Sequence, residues 1–228
     1  MRKRPIVQKL EETNSSEVEA AAEVCRSACL SLWDSFLAVD HRITCHLGLC
    51  ATKESSLGHL RPLMKILEIS CHGVPWIVGT VLLFLFSHKS EDIEMSVNLF
   101  FALIFDLIIV GLLKMTFRRG RPSHNVMDLF MAPSIDKFSF PSGHATRASM
   151  MTLFLCRHMI TSKLYMAAVC AWAVSVCMSR ILLGRHHIFD VVCGICVGVI
   201  SYFAYLNIWV SKAVCLSYLD SYFGYIHL

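Results

Sequence analysis

Two histidines stand beside small or acidic residues in two short polar stretches of this sequence. Ser142, Gly143 and His144 follow one another directly, and His186 precedes Asp190 by four residues. An imidazole can attack phosphorus or transfer a proton, and a carboxylate held against one ring nitrogen makes the other nitrogen more nucleophilic. A Ser-Gly turn at the mouth of a helix offers backbone N–H groups to an anion. Together these residue types suit phosphoryl transfer.

Cationic side chains form a third stretch, "KMTFRRGRP". Lys114 and Arg121 are seven residues apart, so on a continuous helix they would lie two turns apart on nearly the same side. Arg180 ends a later apolar segment. Cations at a membrane edge can also simply contact anionic lipid headgroups. We prefer that interpretation for Arg118 and Arg119, and both interpretations stay open for Lys114 and Arg121.

The two histidine stretches have plainer interpretations as well. Ser142 to His144 can be a capped helix start with a structural histidine. His186 and Asp190 can be an ordinary contact between residues one turn apart on a helix. Each stretch alone is therefore weak evidence, and its meaning depends on the elements that position it.

Those elements are apolar segments. The chain has 228 residues, of which 55% are hydrophobic and 17% charged, with a mean hydropathy of +0.56; soluble domains carry about 25% charged residues. Five segments are long and apolar enough to span a membrane, or nearly so: 67–87, 96–115, 145–160, 164–183 and 188–209. We predict an all-α polytopic membrane bundle with about five spans and an N-terminal interfacial or re-entrant helix.

The composition along the chain predicts four regions. Residues 1–23 are a charged, mobile tail without the apolar core of a cleavable signal peptide. Residues 24–59 form an amphipathic interfacial helix and a connection, residues 60–210 form the transmembrane domain with all three polar stretches, and residues 211–228 form an interfacial tail.

The predicted topology places the polar stretches on one side of the membrane. The second span leaves the bilayer at Lys114, and the third re-enters after Ser142. The fourth span ends at Arg180, and the fifth begins after His186. Three cations, an anion site at a helix mouth and two imidazoles would then meet, which is the equipment for phosphoryl transfer to histidine.

The patterns K-x6-R-P, P-S-G-H and S-R-x5-H-x3-D, in this order and with every position filled, resemble the three signature motifs of the type 2 phosphatidic acid phosphatase (PAP2) superfamily. The resemblance implies that His186 forms a phosphohistidine, that Asp190 orients His186, and that His144 is the general acid. It implies no metal and no cofactor. The phosphate-binding residues it implies are Lys114, Arg121, Ser142, Gly143 and Arg180.

The stretches "RPLMKILEISCHGVPW" and "DKFSFPSGHATRA" resemble more narrowly the branch that acts on polyisoprenoid diphosphates. The expected substrates are farnesyl, geranylgeranyl or presqualene diphosphate, or the monophosphates. One alternative is a phosphatase for phosphatidate, lysophosphatidate or sphingosine phosphate. Another is a catalytically silent scaffold at the nuclear envelope or endoplasmic reticulum, which would be expected to lack a catalytic residue; none is missing. A vanadate-binding haloperoxidase would carry the same residues, but those relatives are soluble proteins and this apolar chain is not, so we do not favour that function.

The remaining expectations concern partners and single residues. We expect a lipid phosphate substrate, membrane lipids and no nucleic acid as partners, and we leave a homo-oligomer open. The resemblance implies a location in the endoplasmic reticulum or nuclear envelope, and the basic residues near the spans favour an active site that faces the cytoplasm.

Cys193 and Cys196 are interpreted as buried small side chains and not as a redox pair. Asp106 is expected to be structural, and His187 structural or adjacent to substrate.

Overall fold

The computed structural model describes residues 4–87, 89–123 and 137–223. No β-strand occurs within these ranges, so the all-α prediction is confirmed. Short 3₁₀ turns lie at Gly58–Leu60 and Leu206–Ile208. The α-helices are α1 (Arg4–Leu47), α2 (Arg61–Ser70), α3 (Gly73–Phe86), α4 (Ser90–Phe117), α5 (Gly143–His158), α6 (Lys163–Leu182), α7 (Ile188–Tyr205) and α8 (Lys212–Phe223).

The chain divides into two compact units, residues 1–43 and 44–228. The first unit consists mainly of α1, which runs without interruption through residue 23, where the sequence predicted a tail to end. The second unit contains α2 to α8 and all of the candidate site residues. The division between the two units tests none of the four predicted regions, so these regions stay predictions.

Each of the five predicted spans corresponds to helix in the structure, although not all of them are long straight helices. Among the described residues, Ser90–Phe117, Lys163–Leu182 and Ile188–Ile208 are long and apolar enough to cross a membrane. The first predicted span is broken instead, because Gly58–Ser70 and Gly73–Phe86 meet at a bend of 46°. The third is α5, whose 16 residues reach only about 24 Å across a hydrocarbon core of about 30 Å. Within the described ranges, the number of candidate spans is therefore three, or four with the bent pair, which is roughly consistent with the five predicted.

Helix α5 lies at the centre of the second unit and contacts α4, α6 and α7. Its side chains Met150, Met151 and Phe154 are fully buried, and they form one apolar cluster with Leu103 of α4 and Tyr205 of α7. Burial against neighbouring helices explains why a short helix is stable at this position. The first turn of α5, which carries the Ser-Gly-His sequence, is thereby fixed with respect to the surrounding helices.

Two glycines allow α7 to approach the start of α5. A Cβ at Gly198 would lie 2.1 Å from the carbonyl oxygen of Thr146, and one at Gly194 would lie 2.9 Å from that of Ser142. Gly194 and Gly198 are four residues apart, so they share one face of α7, as in the small-xxx-small pattern of membrane helix pairs. This close contact brings the turn before α7 beside the N-terminus of α5.

A buried ion pair joins α4, α5 and the bend between α2 and α3. Arg147 Nη2 lies 3.2 Å from Asp106 Oδ2, and Arg147 Nη1 donates to the carbonyl oxygen of Cys71 at 3.3 Å. Asp106 is fully buried. An acid inside an apolar span needs such a partner, so this contact agrees with the structural role expected for Asp106.

Candidate active site

The ends of four helices meet on one side of the second unit. The backbone N–H of Ser142, before α5, donates to the carbonyl oxygen of Asp190 in α7 at 3.0 Å. Arg121, after α4, donates through Nη1 to the carbonyl oxygen of Arg185, after α6, at 3.0 Å. The three polar stretches that the sequence predicted to share one side therefore lie together in the structure.

A left-handed turn leads from α6 to His186. Gly184 has φ 66°, the left-handed conformation in which many helices end. The N–H of Arg185 donates to the carbonyl oxygen of Arg180, and the N–H of Gly184 to that of Ile181, both at 2.9 Å. This is the Schellman pattern, and it turns the chain back so that the His186 N–H lies 3.3 Å from the Arg180 carbonyl oxygen.

His186 is a buried imidazole with one nitrogen anchored. The ring is 1% exposed, and Nδ1 lies 2.7 Å from the carbonyl oxygen of Ser139. Because a carbonyl oxygen only accepts, this contact assigns the proton to Nδ1 and leaves a lone pair on Nε2. Burial, followed by the positive charges of Arg121 and Arg180, holds the pKa of His186 well below its usual value. The free protein therefore carries a neutral, nucleophilic imidazole here.

Asp190 contacts His187 and not His186, which differs from the predicted pairing. Its Oδ2 accepts from the backbone N–H of His187 at 2.8 Å and lies 3.0 Å from His187 Nδ1. The rule that residues i and i+4 share a face holds only when both lie within a helix. Helix α7 begins at Ile188, so His186 precedes it, while His187 is the N-cap residue of a capping box with Asp190. The expected orientation of His186 by Asp190 is corrected accordingly.

Arg119 is also placed differently from the sequence expectation. Its Nη1 lies 2.6 Å from Asp190 Oδ1, and Asp190 is fully buried. The interpretation as a headgroup contact is therefore wrong for Arg119, whereas Arg118 is exposed and forms the left-handed C-cap of α4. The ion pair fastens the segment after α4 to the start of α7. Two adjacent arginines in a sequence carry no signal to distinguish these two environments.

The predicted cations lie around His186. Lys114 and Arg180 are 5% and 3% exposed, and their charges, with that of Arg121, act on the His186 ring.

Ser142 is the N-cap of α5, as predicted, and Gly143 is the first residue of the helix. The hydroxyl of Ser142 is buried and has no hydrogen-bond partner within the described ranges. The same holds for Arg180 Nε. Buried polar atoms are normally paired, so these two donors fit a site that binds an anion.

His144 has an anchor on α2. Its Nε2 lies 3.0 Å from the carbonyl oxygen of Glu68. That contact assigns a proton to Nε2, so the neutral ring has its lone pair on Nδ1. Nδ1 is therefore the ring nitrogen that can exchange a proton with a substrate. The Glu68 side chain pairs with Arg180 and Arg185. The sequence interpretation missed Glu68, because a glutamate in an amphipathic helix is usually solvated.

Within the described residues, no group of three His, Cys, Asp or Glu side chains is placed to hold a metal ion. Hydrolysis without a metal stays a prediction. In α7, Cys193 is half-buried and Cys196 is exposed, which differs from the buried positions predicted for them.

Comparison with known proteins identifies the family from the sequence. Residues 96–213, more than half of the chain, match the model of the PAP2 superfamily. The chain is similar to the "Probable lipid phosphate phosphatase beta" of Arabidopsis thaliana, with 33% identity over 123 residues, 43% of this chain and 58% of that protein. It is also similar to the "Lipid A 4'-phosphatase" of Porphyromonas gingivalis, with 30% identity over 57% of this chain and 59% of that protein. The matches thus span less than two thirds of these relatives.

Two solved structures share the fold. One is the PAP2-type phosphatidylglycerolphosphate phosphatase from Bacillus subtilis, with a TM-score of 0.55, 22% identity, and coverage of 76% of this chain and 86% of that chain. The other is LpxE from Aquifex aeolicus, with a TM-score of 0.51, 22% identity, and coverage of 71% and 91%. At this identity the likeness concerns the helical arrangement alone.

Proposed function

Since the chain belongs to the PAP2 superfamily, we propose that it is a metal-independent membrane phosphatase that hydrolyses polyisoprenoid diphosphates and monophosphates through a phosphohistidine at His186. The observation that carries this proposal is the environment of His186: Nδ1 is anchored to Ser139, and the charges of Lys114, Arg121 and Arg180 act on the ring. An imidazole with one nitrogen fixed and a lone pair on the other is prepared for attack on a phosphorus atom held by cations.

In the first step, His186 Nε2 attacks the terminal phosphorus and forms a P–N bond, while the bond from phosphorus to the leaving oxygen breaks. Lys114, Arg121 and Arg180 neutralise charge on the equatorial phosphoryl oxygens. The Ser142 hydroxyl and the Gly143 backbone N–H donate to the same oxygens. Donors fixed before the reaction stabilise the transition state without having to reorganise. The unpaired Ser142 hydroxyl and Arg180 Nε support this assignment.

In the first step His144, as an imidazolium with protons on both ring nitrogens, gives its Nδ1 proton to the leaving oxygen and becomes neutral. Burial and the charges of Arg180 and Arg147 lower the pKa of His144 in the empty site, so this proton arrives with a protonated substrate phosphate. In the second step His144 accepts a proton from the water that attacks the phosphohistidine, and inorganic phosphate leaves while His186 regains its lone pair. The contact of His144 Nε2 with Glu68 makes Nδ1 the atom through which the proton passes. Asp190 acts through its neighbours: with Arg119 and His187 it fixes the start of α7, and hence the turn that carries His186.

The polyisoprenoid class is supported by the place of the branch-like sequence in the fold. The stretch "RPLMKILEISCHGVPW" forms α2, the bend and the start of α3. It contacts His144 through Glu68 and Arg147 through Cys71. The part of the chain that resembles the polyisoprenoid branch therefore lies against the candidate site. We assign the catalytic domain to residues 60–210 and the protein to the endoplasmic reticulum or nuclear envelope, as the resemblance implies.

A second candidate function is hydrolysis of phosphatidate, lysophosphatidate or sphingosine phosphate. It is favoured by the Arabidopsis relative, whose name describes a lipid phosphate phosphatase. Both classes of substrate present a terminal phosphate to the same cations, so the chemistry of the site does not distinguish them.

A substrate panel distinguishes these functions. Purified protein in detergent is offered farnesyl diphosphate, geranylgeranyl diphosphate, farnesyl monophosphate, phosphatidate and sphingosine phosphate, with about 10 mM EDTA present. His186→Ala is the control for contaminating phosphatases. We expect the isoprenoid phosphates to have the highest kcat/KM and EDTA to have no effect. A preference of about tenfold or more for phosphatidate would favour the second function, and recovery by Mg²⁺ after EDTA would refute metal independence.

A further inference from the structure

Glu68 bridges two arginines at the edge of the candidate site. Its Oε1 lies 2.7 Å from Arg180 Nη1, and its Oε2 lies 3.3 Å from Arg185 Nη2. The three side chains are buried, with exposed fractions of 9% for Glu68, 4% for Arg180 and 2% for Arg185. One carboxylate thus serves two guanidinium groups that have little access to water, and the three together carry one net positive charge.

Glu68 also belongs to no signature motif. It lies in α2, outside residues 96–213 that match the family model. Its backbone carbonyl oxygen contacts His144 Nε2 at 3.0 Å, so the residue reaches both the expected general acid and an expected phosphate ligand. Arg180 Nε, by contrast, is buried and has no hydrogen-bond partner among the residues that the structure describes. Arg180 therefore holds Glu68 through one nitrogen while another nitrogen remains for a phosphate.

We propose that Glu68 is a counter-anion that limits how tightly the site holds phosphate. This role rests on the phosphatase function proposed above. Glu68 offsets part of the positive charge of Arg180 and Arg185 while the site is empty. It then repels a phosphate that binds to Arg180, so that product phosphate can leave. Two negative charges held by the same guanidinium group in a partly buried site repel strongly enough to change an affinity about tenfold or more.

The proposal makes opposite predictions for the two partners. Glu68→Gln keeps the shape of the side chain and removes its charge, which leaves two buried guanidinium groups without a counter-ion. Phosphate restores the balance, so we expect it to bind about tenfold more tightly. Arg185→Gln leaves the whole carboxylate to Arg180, so phosphate should bind more weakly by a similar factor. In a purely structural role, both substitutions would loosen the same contact and change the affinity in the same direction.

The test measures phosphate binding without turnover. The full chain in detergent is titrated with inorganic phosphate and with orthovanadate, and binding is followed by calorimetry and by the rise in Tm. Glu94→Gln is the matched control, because Glu94 accepts from Trp209 Nε1 at 2.9 Å at the opposite end of α4. It should leave phosphate affinity unchanged. The double variant Glu68→Gln, Arg185→Gln conserves the net charge and should bind nearly as the wild type does.

Tighter binding in Glu68→Gln together with weaker binding in Arg185→Gln would support the counter-anion role. A shift in the same direction for both variants, or no shift in either, would overturn it. Should Glu68→Gln fail to fold, the double variant must bind phosphate more tightly than Arg185→Gln alone, and equal affinities would overturn the proposal. Wild-type protein that binds phosphate but hydrolyses no lipid phosphate would refute only the proposed function. Wild-type protein that binds no phosphate up to about 10 mM would refute both.

Discussion

The Nδ1 atom of His186 lies 2.7 Å from the carbonyl oxygen of Ser139, the residue directly before the cis Phe140-Pro141 peptide that leads into α5. This contact joins the turn after α6 to the segment before α5. It also assigns the lone pair of the ring to Nε2. A backbone carbonyl thus performs the orienting task that the sequence pattern had given to a carboxylate.

The pH dependence of His186 follows from its burial and from the surrounding cations, which lower its pKa. Because the folded-state pKa lies below the unfolded value of about 6.5, the neutral ring contributes stability above that pH. The contribution is lost as pH falls through the unfolded value towards the folded one. In ligand-free protein labelled with ¹³C-histidine, we expect the resonance that disappears in His186→Asn to remain in its neutral position at pH 6.5. A midpoint at or above about 6.5 would contradict this environment.

Arg119 and Arg118 offer a matched pair of adjacent substitutions. Arg119→Gln leaves the fully buried Asp190 without its cation. Breaking a buried pair costs about 3–5 kcal/mol, and we expect the lower end because the Arg119 side chain is 16% exposed. Arg118→Gln changes an exposed residue and should alter stability by no more than about 0.5 kcal/mol. Thermal unfolding in detergent compares the two variants, and equal shifts in Tm would show that the Arg119–Asp190 pair does not fasten the start of α7.

The sequence was informative about which residues meet and less so about how they are bonded. Motif spacing and hydropathy sufficed to place Lys114, His144 and His186 at one end of a helical bundle. The partner of Asp190 could not be predicted, because it depends on whether α7 begins before or after His186. A shift of two residues in a helix start, within the usual uncertainty of a boundary, exchanges one histidine for the other.

Residues outside the motifs were harder to find from the sequence. Glu68 gives no signal until α2 is known to be covered by α6, since its neighbours "KILEIS" are typical of a surface helix. Gly194 and Gly198 have the spacing of a helix contact, but the partner helix is defined only by the fold. Burial and tertiary contacts decide such cases, and local sequence does not encode them separately.

The contact between α5 and α7 can be tested with two identical substitutions. Gly198→Ala places a Cβ 2.1 Å from the Thr146 carbonyl oxygen, so the helices must separate. Overpacking of this kind costs about 1–3 kcal/mol. Gly111→Ala is the control in α4, because no described atom outside its own helix backbone and chain neighbours lies within 4 Å of the added Cβ. We expect a lower Tm and reduced activity only for Gly198→Ala. Equal behaviour of the two variants would mean that the close approach is unimportant.

His144 should matter in proportion to the leaving group. A prenyl alkoxide needs a proton to depart, whereas p-nitrophenolate leaves with little help. Loss of a general acid costs about 10²–10⁴-fold, so His144→Ala should lose that much on farnesyl monophosphate and much less in the first step on p-nitrophenyl phosphate. A diphosphate, whose leaving group is itself a phosphate, should lie between them. Equal first-step losses on all three substrates would make His144 a structural or phosphate-binding residue.

The most direct test of the mechanism is to trap the phosphoryl group on the protein. His144→Ala is mixed with ³²P-labelled p-nitrophenyl phosphate, because its second step should be slow, and the reaction is quenched in alkali, where a phosphohistidine survives. We expect one labelled residue, His186, identified by mass spectrometry and released by acid. The label should be absent when His186→Ala is added to the same background and retained when His187→Ala is added. Label on His187, or turnover by His186→Ala, would contradict the assignment of the nucleophile.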